Sequence, residues 1–595
     1  MQQRYLLRNN NYTLPFYLIV KLTKPILFLI FLFLSVNSLS AAELAASCTS
    51  KERYGGHIIW AASSDPRSFN LIIAKEASTT SIIGIMFEGL TETDGVTLEI
   101  KPALAQSWSY DQNGLIWEFK LRRDVFWSDG ERFNADDVVF TFNSLIYNDQ
   151  IPSSARDIFT IEGKKIEVEK IDDFTVRFTL PKKFVPFLRS MSQEILPQHV
   201  LKDSVDAGKF SFTWGTDTDP QKIIGTGPFL LSEYLPGEKV VLLRNPRYYK
   251  KDREGNRLPY LEKIIFLIVG NQDAALLRFL DNELDSYGLR GKDYPLLKPK
   301  EKERDFTVYN VGPTFSSNFI VFNQNRGISP TTNMPYYQEN KLRWFTDLNF
   351  RRAVAHAIDK KMIIQILMNG FGTSQNSPVS PSAENFYTKD VVIYDYDLDK
   401  ARNILAEAGY RDRDGDGILE DVQGEKIEFN LFTAAEDDIR IQISAMIRND
   451  LKELGMKVNF LPLEFNSLVQ RLVSTYDWDA VVIGLTGGIE PHFGKNVWNS
   501  KGRLHMWYPA QDNPATAWEE RIDEIFDLAA QEFNQRRRKK LYDEWQRLVS
   551  ENLPLIYTVL GDSMFAVRNK FGNFKPTSFG GPFHNIEEIY IIPKD

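Results

Sequence analysis

Residues 437–463 read DDIRIQISAMIRNDLKELGMKVNFLPL and decide the fold class. Apolar side chains recur in them at intervals of three and four residues, which is the spacing of one helix face. The pattern predicts a helix over 437–454 that ends at Gly455 and leads directly to a strand over 457–463. The apolar stripe consists of Ile439, Ile443, Ile447, Leu451 and Leu454.

Similar units lie on both sides of this stretch. Helices are predicted over 347–359, with Asp347 as the N-cap, and over 398–408. A helix capped by Asn466 and a buried strand over 479–485 follow. Repetition of helix, glycine and strand is typical of βαβ units, so this half of the chain is predicted to be α/β with a mostly parallel sheet.

The N-terminal half has a different pattern. Residues 117–122 and 175–180 alternate apolar and polar side chains, which favours antiparallel strands in a separate mixed domain. Asn134 is placed to cap a helix between them. The last long helices of the chain are predicted near 518–533 and 535–551.

The length and composition indicate a soluble protein of several domains. The chain has 595 residues, more than one compact core holds, so at least two domains are expected. Its 43% hydrophobic and 25% charged residues are ordinary values for a soluble protein. Its formal net charge of −8 argues against nucleic acid as the main partner.

Residues 1–47 are predicted to be an export leader. Basic residues through Lys24 precede an apolar run of about 15 residues, short for a membrane-spanning helix. An uncleaved membrane anchor is the alternative. Cys48 is the only cysteine, so it forms no internal disulfide, and its position resembles a bacterial lipobox, in which the Cys is lipidated. Cleavage near 40–42, which would release a free periplasmic protein, stays open. Cleavage at either position places the body outside the cytoplasm.

Several separated segments of the chain carry a resemblance to one known family. The segments are ALAQSW (103–108), WEFKLR (117–122), VFWSDG (125–130), NADDV (134–138), IGTGPF (224–229), LRNPRYY (243–249) and NFRRAVAHAID (349–359). In content and order they resemble the bacterial extracellular solute-binding proteins of family 5, the oligopeptide- and dipeptide-binding proteins, and the similarity spans about Tyr54 to the C-terminus.

The resemblance implies a periplasmic-binding-protein-like α/β fold of type II, cluster C, with two lobes joined by a hinge and an extra inserted domain. A first lobe would be discontinuous, an inserted domain would follow its first segment, and the ligand would lie between two closing lobes. The implied boundaries are 53–93, 214–315 and 556–595 for the first lobe, 94–213 for the inserted domain and 316–555 for the second lobe.

The resemblance also implies a function. The protein would be the extracytoplasmic, periplasmic subunit that delivers peptides to the permease and ATPase subunits of an ABC-type importer. It would act as a monomer, and only a lipid anchor would attach it to the membrane. No cofactor is required.

The implied ligand contacts come from three separated segments. Family peptide binders use a segment that corresponds here to Glu76, Ala77 and Ser78, and a strand that contains Asn318. They also use the loop after the strand 479–485, here Thr486, Gly487, Gly488 and Glu490. Trp498 is placed to stack on a ligand or to pack the loop.

The loop departs from the family pattern at the position of an aspartate that binds the peptide α-amino group. Gly488 stands there and supplies no carboxylate. Glu490 is a candidate substitute, and the alternative is that it is a solvated loop residue. The departure weakens the inference that the ligand is a peptide.

The run DRDGDGILE over 412–420 resembles part of a calcium loop, in which alternating oxygen ligands surround one ion. The position of the usual bidentate Glu is Gln423, so the run is not a complete EF-hand. A structural calcium site and an acidic turn are the two interpretations. The candidate ligands are Asp412, Asp414, Asp416, the Ile418 carbonyl and Glu420.

Enzyme motifs give no competing interpretation. The sequence has no P-loop, no His-Glu-x-x-His zinc motif and no Gly-x-Ser-x-Gly nucleophile elbow. The chain is therefore expected not to be an enzyme. Three functions stay open: a peptide-binding protein, the same scaffold for another solute such as a metal chelate, opine or glycoside, and a cell-surface sensor or chaperone-like protein.

Overall fold

The stretch 437–463 forms the predicted helix, Asp438–Glu453, and the predicted strand, Lys457–Leu463. The Asp437 side chain caps the helix by accepting a hydrogen bond from the backbone N–H of Arg440. Gly455 has a φ of +82°, which glycine adopts without strain. Four members of the predicted stripe are buried, whereas Ile439 is 39% exposed.

The computed structural model describes residues 52–74, 76–329, 333–509 and 511–593. The predicted leader and Cys48 lie outside these residues, so export and lipidation stay predictions. Within the described ranges, no helix is both long and apolar enough to cross a bilayer.

Five strands form the second-lobe sheet. In the strand order given at the end of this paragraph, the two pairings among the first three strands are parallel. The two pairings made by the fourth strand, with its neighbours on either side, are antiparallel. The prediction of a mostly parallel sheet is therefore wrong for half of it. Both antiparallel pairings are made by Ser317–Phe322, which enters directly from another sheet, without the crossover helix that a parallel pairing needs. The strand order is Lys457–Leu463, Glu428–Ala434, Ala480–Leu485, Ser317–Phe322 and Leu555–Tyr557.

Residues 94–213, the predicted inserted domain, contain the antiparallel strands that the sequence predicted, and we call these residues the inserted segment. Trp117 lies opposite Phe178 in the register, and both side chains are buried. Asn134 caps the helix Ala135–Phe140 in a capping box with Asp137. The sheet order is Ala105–Tyr110, Ile116–Leu121, Thr175–Thr179 and Glu167–Asp172.

A separate four-stranded sheet lies within the segments predicted to form the first lobe. Its edge strand His57–Ala62 pairs in parallel with Lys263–Ile268, and the other pairings are antiparallel. The remaining strands are Lys239–Arg244 and Phe229–Leu235.

One long strand, Val559–Arg568, connects the lobes through a bridging sheet. It pairs with Ser286–Gly288 and Phe306–Pro313 of the first lobe and with Gly372–Ser374 of the second. The chain therefore passes from one sheet to another twice, at 313–317 and at 557–559. These crossings lie side by side, since Thr314 donates to the Gly561 carbonyl at 3.0 Å. The lobe boundaries themselves stay a prediction.

The helices of the second lobe follow the predicted pattern with one correction. Asp347 caps the helix Leu348–His356 as predicted. Asn466 is not a cap, because the helix begins one residue earlier and the Glu464 side chain accepts hydrogen bonds from the backbone N–H groups of Asn466 and Ser467. The other helices of this lobe are Glu339–Thr346, Lys360–Leu367, Leu398–Glu407, Phe465–Gln470, Lys495–Trp498, Ala517–Gln531 and Gln535–Asn552.

Shorter elements complete the described chain. Small two-stranded sheets pair Thr91–Thr93 with Ile100–Pro102, Thr160–Ile161 with Lys164–Lys165, and Phe571–Gly572 with Tyr590–Ile591. The remaining helices are Ala77–Ile83, Ala155–Ile158, Phe187–Ser190, Gln198–Asp206, Gln272–Leu280 and Tyr294–Leu297.

Candidate ligand-binding cleft

A glycine-rich loop leaves the central strand Ala480–Leu485 of the second-lobe sheet and lines a cavity of about 390 Å³. Gly487 lies so close to the neighbouring chain that a Cβ there would be 1.7 Å from the Phe315 carbonyl oxygen. A Cβ at Gly488 would meet nothing within 4 Å. One glycine is therefore required by packing, whereas the other leaves open space.

This second-lobe cavity brings together five of the predicted site residues. Apolar side chains from the adjoining helices and strands complete its wall, as is usual for cavities that enclose small ligands. The five are Thr486, Gly487, Gly488, Glu490 and Trp498.

Glu490 is neither a solvated loop residue nor a free carboxylate. Its side chain and that of Arg538 are each 3% exposed. The two groups form a bidentate pair, in which Arg538 Nη1 donates to Oε2 at 2.8 Å and Nη2 donates to Oε1 at 2.5 Å. The prediction of Glu490 as the clamp for a ligand amine is corrected, because Arg538 already neutralises this carboxylate.

The surroundings of the pair contain further buried polar groups. Burial lowers the pKa of Arg538, and the carboxylate of Glu490 outweighs this effect and raises it. Burial, together with the nearby cations Lys495 and Arg538, lowers the pKa of His492 to about 3, so its ring is neutral at physiological pH. The pair therefore belongs to a fixed scaffold under the loop.

A second cavity, of about 300 Å³, adjoins the first and shares Gly488, Glu490 and Phe493 with it. We call it the central cavity. Its other wall comes from the inserted segment and includes Arg189 and Glu194. Three partly exposed apolar side chains also line it: Ile158, Phe493 and Phe579.

The two charged residues of the inserted segment have different surroundings. Arg189 donates to Thr93 Oγ1 at 3.1 Å and to the Leu98 carbonyl at 2.9 Å, and burial lowers its pKa. Glu194 is partly buried, and burial raises its pKa to about 7.

A third cavity, of about 380 Å³, shares Glu194 and Phe579 with the central cavity and extends into the first lobe. Its wall contains Glu88, whose Oε1 lies 3.7 Å from the Lys250 ammonium. Burial is the main cause that raises the pKa of Glu88 to about 7. The three adjoining cavities form a cleft that reaches from the second-lobe loop to the first lobe.

The family of the chain follows from a match over residues 99–503. This region matches the model for bacterial extracellular solute-binding proteins, family 5 (middle region). The chain belongs to this family. The resemblance seen in separated sequence segments is therefore confirmed.

Two relatives of this family-5 protein match 78% and 95% of its length. A probable ABC transporter-binding protein of Deinococcus radiodurans is 29% identical over 486 residues, which are 78% of this chain and 80% of the relative. The oligopeptide-binding protein AppA of Bacillus subtilis is 26% identical over 574 residues, 95% of this chain and 96% of AppA.

A solved structure of AppA in complex with a nonapeptide matches with a TM-score of 0.70 at 25% identity. The match covers 91% of this chain and 99% of AppA. The family-5 solute-binding protein therefore has the predicted mixed α/β fold of the periplasmic binding proteins.

Two predicted ligand contacts whose side chains the structure describes, Glu76 and Asn318, do not line the three cavities. Glu76 precedes the helix Ala77–Ile83 and forms an ion pair with Arg67 at 3.6 Å. Ala77 and Ser78 begin that helix, and their side chains lie outside the described part of the chain. The Asn318 side chain accepts a hydrogen bond from Arg440 Nε at 2.9 Å and donates to the Val559 carbonyl at 3.2 Å, so it fixes the crossing between sheets.

The tryptophans near the loop mainly build the core. Trp498 is 5% exposed and packs edge-to-face on Trp545 at 5.1 Å, although it also lines the second-lobe cavity. Trp507 is 1% exposed and donates to Glu519 Oε1 at 2.9 Å. Trp507 therefore packs the loop and does not reach the cleft.

The calcium-like run brings its four carboxylates together. Ligand oxygens of Asp412, Asp414, Asp416 and Glu420 lie within 4.8 Å of one another. The Lys426 ammonium already binds Asp414 at 2.8 Å and also contacts Asp416. Ile418 donates its N–H to Asp416 at 2.8 Å. Calcium binding stays a prediction, and an ion would have to displace Lys426.

Arg538, Arg189 and Glu194 were not predicted from the sequence. Arg538 belongs to the basic run RRRKK (536–540), but it shares a helix face with the buried Tyr542, Trp545 and Val549. This spacing along the helix predicts that the Arg538 side chain faces the protein interior. Glu194 has no comparable signal, because its segment is irregular.

Proposed function

We propose that this family-5 protein is the extracytoplasmic substrate-binding subunit of an ABC-type importer and that it captures peptides in the cleft. Partner ATPase subunits would supply the energy, so the chain itself has no catalytic role. Ligand binding would close the predicted lobes around the crossings at 313–317 and 557–559, since a ligand shifts a two-state equilibrium toward the form that it binds better.

The observation that carries the proposal is the run of three adjoining cavities along the cleft. Together their walls combine apolar side chains with charged groups, which suits both the side chains and the polar backbone of a peptide. The similarity in fold between this protein and AppA, whose structure was solved in complex with a nonapeptide, supports an extended ligand. The predicted leader supports a location outside the cytoplasm, with Cys48 as the site of a lipid anchor.

Mass spectrometry of small molecules released from the purified, leader-free protein tests the proposal. We expect short peptides, and we expect small-angle scattering to show a more compact protein after they are restored. Non-peptide solutes alone would contradict the peptide assignment.

A pair of phenylalanine variants links binding to the cleft. Phe493 is 46% exposed and lines two of the three cavities, whereas Phe212 is 85% exposed on the inserted segment. We expect Phe493→Asp to lower the recovery of peptides severalfold and Phe212→Asp to leave it unchanged. Equal recovery from both variants would place the ligand elsewhere.

A non-peptide solute is the second candidate. It is favoured by Gly488, which supplies no carboxylate to the cleft, and by the pairing of Glu490 with Arg538. A ligand without a free amine would need no such carboxylate. The same mass spectrometry separates the two candidates.

A further inference from the structure

Among the residues that the structure describes, five carboxylates line the three cavities, and four of them have a cationic partner. Glu490 is paired with Arg538. The other three paired carboxylates surround one ammonium group, that of Lys250. They are Glu88 at 3.7 Å, Glu587 at 3.6 Å and Glu92 at 2.5 Å.

Glu194 is the exception. Within the described ranges, no Lys, Arg or His forms an ion pair with it, and its Oε2 accepts one hydrogen bond, from Gln193 Nε2 at 3.2 Å. Burial alone raises its pKa to about 7. A carboxylate that loses water without gaining a counter-ion is destabilising, and groups of this kind are concentrated at functional sites.

The cation that lies with Glu194 in the described wall of the central cavity has other partners. Arg189 donates to Thr93 and to the Leu98 carbonyl, and the charges that act on it are those of Glu490 and Arg538. It therefore does not neutralise Glu194.

The position of Glu194 is central in the cleft. It is shared by the central and first-lobe cavities, and the central cavity reaches Gly488 on the second lobe. The Cα of Gly488 faces open space. A group bound there is therefore within reach of both lobes and of one unpaired carboxylate.

Resting on the peptide-binding function proposed above, we infer that Glu194 binds the amino-terminal ammonium group of the captured peptide. An ammonium that leaves water needs an anionic acceptor, and a charge-assisted hydrogen bond is stronger than a neutral one. Glu194 would therefore favour peptides with a free N-terminus over those with a blocked one.

Two synthetic peptide pools test this inference. Both contain randomised hexapeptides without Lys, Arg or His, and one pool is N-acetylated. Equilibrium dialysis followed by mass spectrometry gives the affinity of each pool for the wild type, Glu194→Gln and Glu194→Asp. Glu169→Gln is the matched control, since Glu169 is an exposed glutamate of the same inserted segment.

We expect the wild type and the control to prefer the free-amine pool by about tenfold or more, the range of a hydrogen bond between charged groups. Glu194→Gln should lose most of this preference while its affinity for the acetylated pool stays unchanged, and Glu194→Asp should recover part of it. An unchanged preference in Glu194→Gln would overturn the inference alone. Binding of neither pool by the wild type would overturn the peptide assignment as well as the inference that rests on it.

Discussion

Glu490 and Glu194 line the same central cavity, but their charges are balanced in different ways. Glu490 comes from the second-lobe loop and is held by both Nη groups of Arg538. Glu194 comes from the inserted segment and accepts a hydrogen bond from a neutral donor, Gln193, and no cation among the described residues forms an ion pair with it. A carboxylate that the protein itself neutralises is not available to a ligand, whereas one left without a cation is.

The largest expected effect concerns the partner of Glu490. Arg538→Met should lower the free energy of unfolding by about 3–5 kcal/mol, because it leaves a buried carboxylate without its counter-ion. Urea unfolding of the ligand-free protein measures it. Arg537→Met is the control, since Arg537 also forms a pair, with Glu532, but its side chain is 71% exposed. Equal losses in both variants would show that burial of the pair is unimportant.

Removal of both charges of the Glu490–Arg538 pair should lower the free energy of unfolding much less than removal of one charge. In Glu490→Met/Arg538→Met, apolar side chains replace the pair, and we expect most of the lost stability, about 2–4 kcal/mol, to return. Unfolding in urea under the same conditions checks this. A double variant no more stable than Arg538→Met would mean that the pair supplies hydrogen bonds that packing cannot replace.

In contrast to the paired Glu490, the charged form of Glu194 should destabilise the folded protein, and the size of this effect should depend on pH. Its folded pKa of about 7 lies above the ordinary value of 4.5. Below pH 4.5 the Glu194 carboxyl group is protonated in both the folded and the unfolded state, so it does not lower the free energy of unfolding. Between pH 4.5 and 7 the unfolded chain loses this proton first, so stability falls, and above pH 7 the loss is constant.

Glu194→Gln should therefore be more stable than the wild type at pH 8, by about 1–3 kcal/mol after allowance for partial exposure, and about equal to it at pH 4.5. Unfolding of both proteins at the two pH values measures the difference. A variant less stable than the wild type at pH 8 would reveal a cationic partner of Glu194.

The smallest effect is expected at Gly488. Gly488→Asp places a side chain in open space, so the free energy of unfolding should change by about 0.5 kcal/mol or less. The added carboxylate in the central cavity, which no Arg or Lys of the second-lobe loop neutralises, should raise the preference for free-amine peptides, and Gly488→Asn should not. Equal preferences in the two variants would place the peptide N-terminus away from this loop.

Much of the fold follows from local patterns in the sequence. Spacing of apolar residues predicted the helix Asp438–Glu453, and alternation predicted the antiparallel strands Ile116–Leu121 and Thr175–Thr179. The direction of Ser317–Phe322 in the sheet was not predicted, because it depends on the chain crossing from another sheet.

The site was predicted only where one continuous loop forms it. Gly487, Gly488 and Glu490 were proposed from the family resemblance, which assigns ligand contacts to the loop after a recognisable strand, and they line the second-lobe cavity. The state of Glu490 depends on Arg538, which lies 48 residues further along the chain. Glu194 enters the cavity from a third segment, and no local pattern marks a carboxylate that lacks a distant partner.

The most direct measurement is a co-crystal structure of the leader-free protein with a free-amine peptide. We expect the peptide along the three cavities, with its N-terminal nitrogen about 3 Å from a Glu194 carboxylate oxygen. A peptide whose ammonium group binds elsewhere, with Glu194 left in contact with water alone, would contradict the role assigned to this carboxylate.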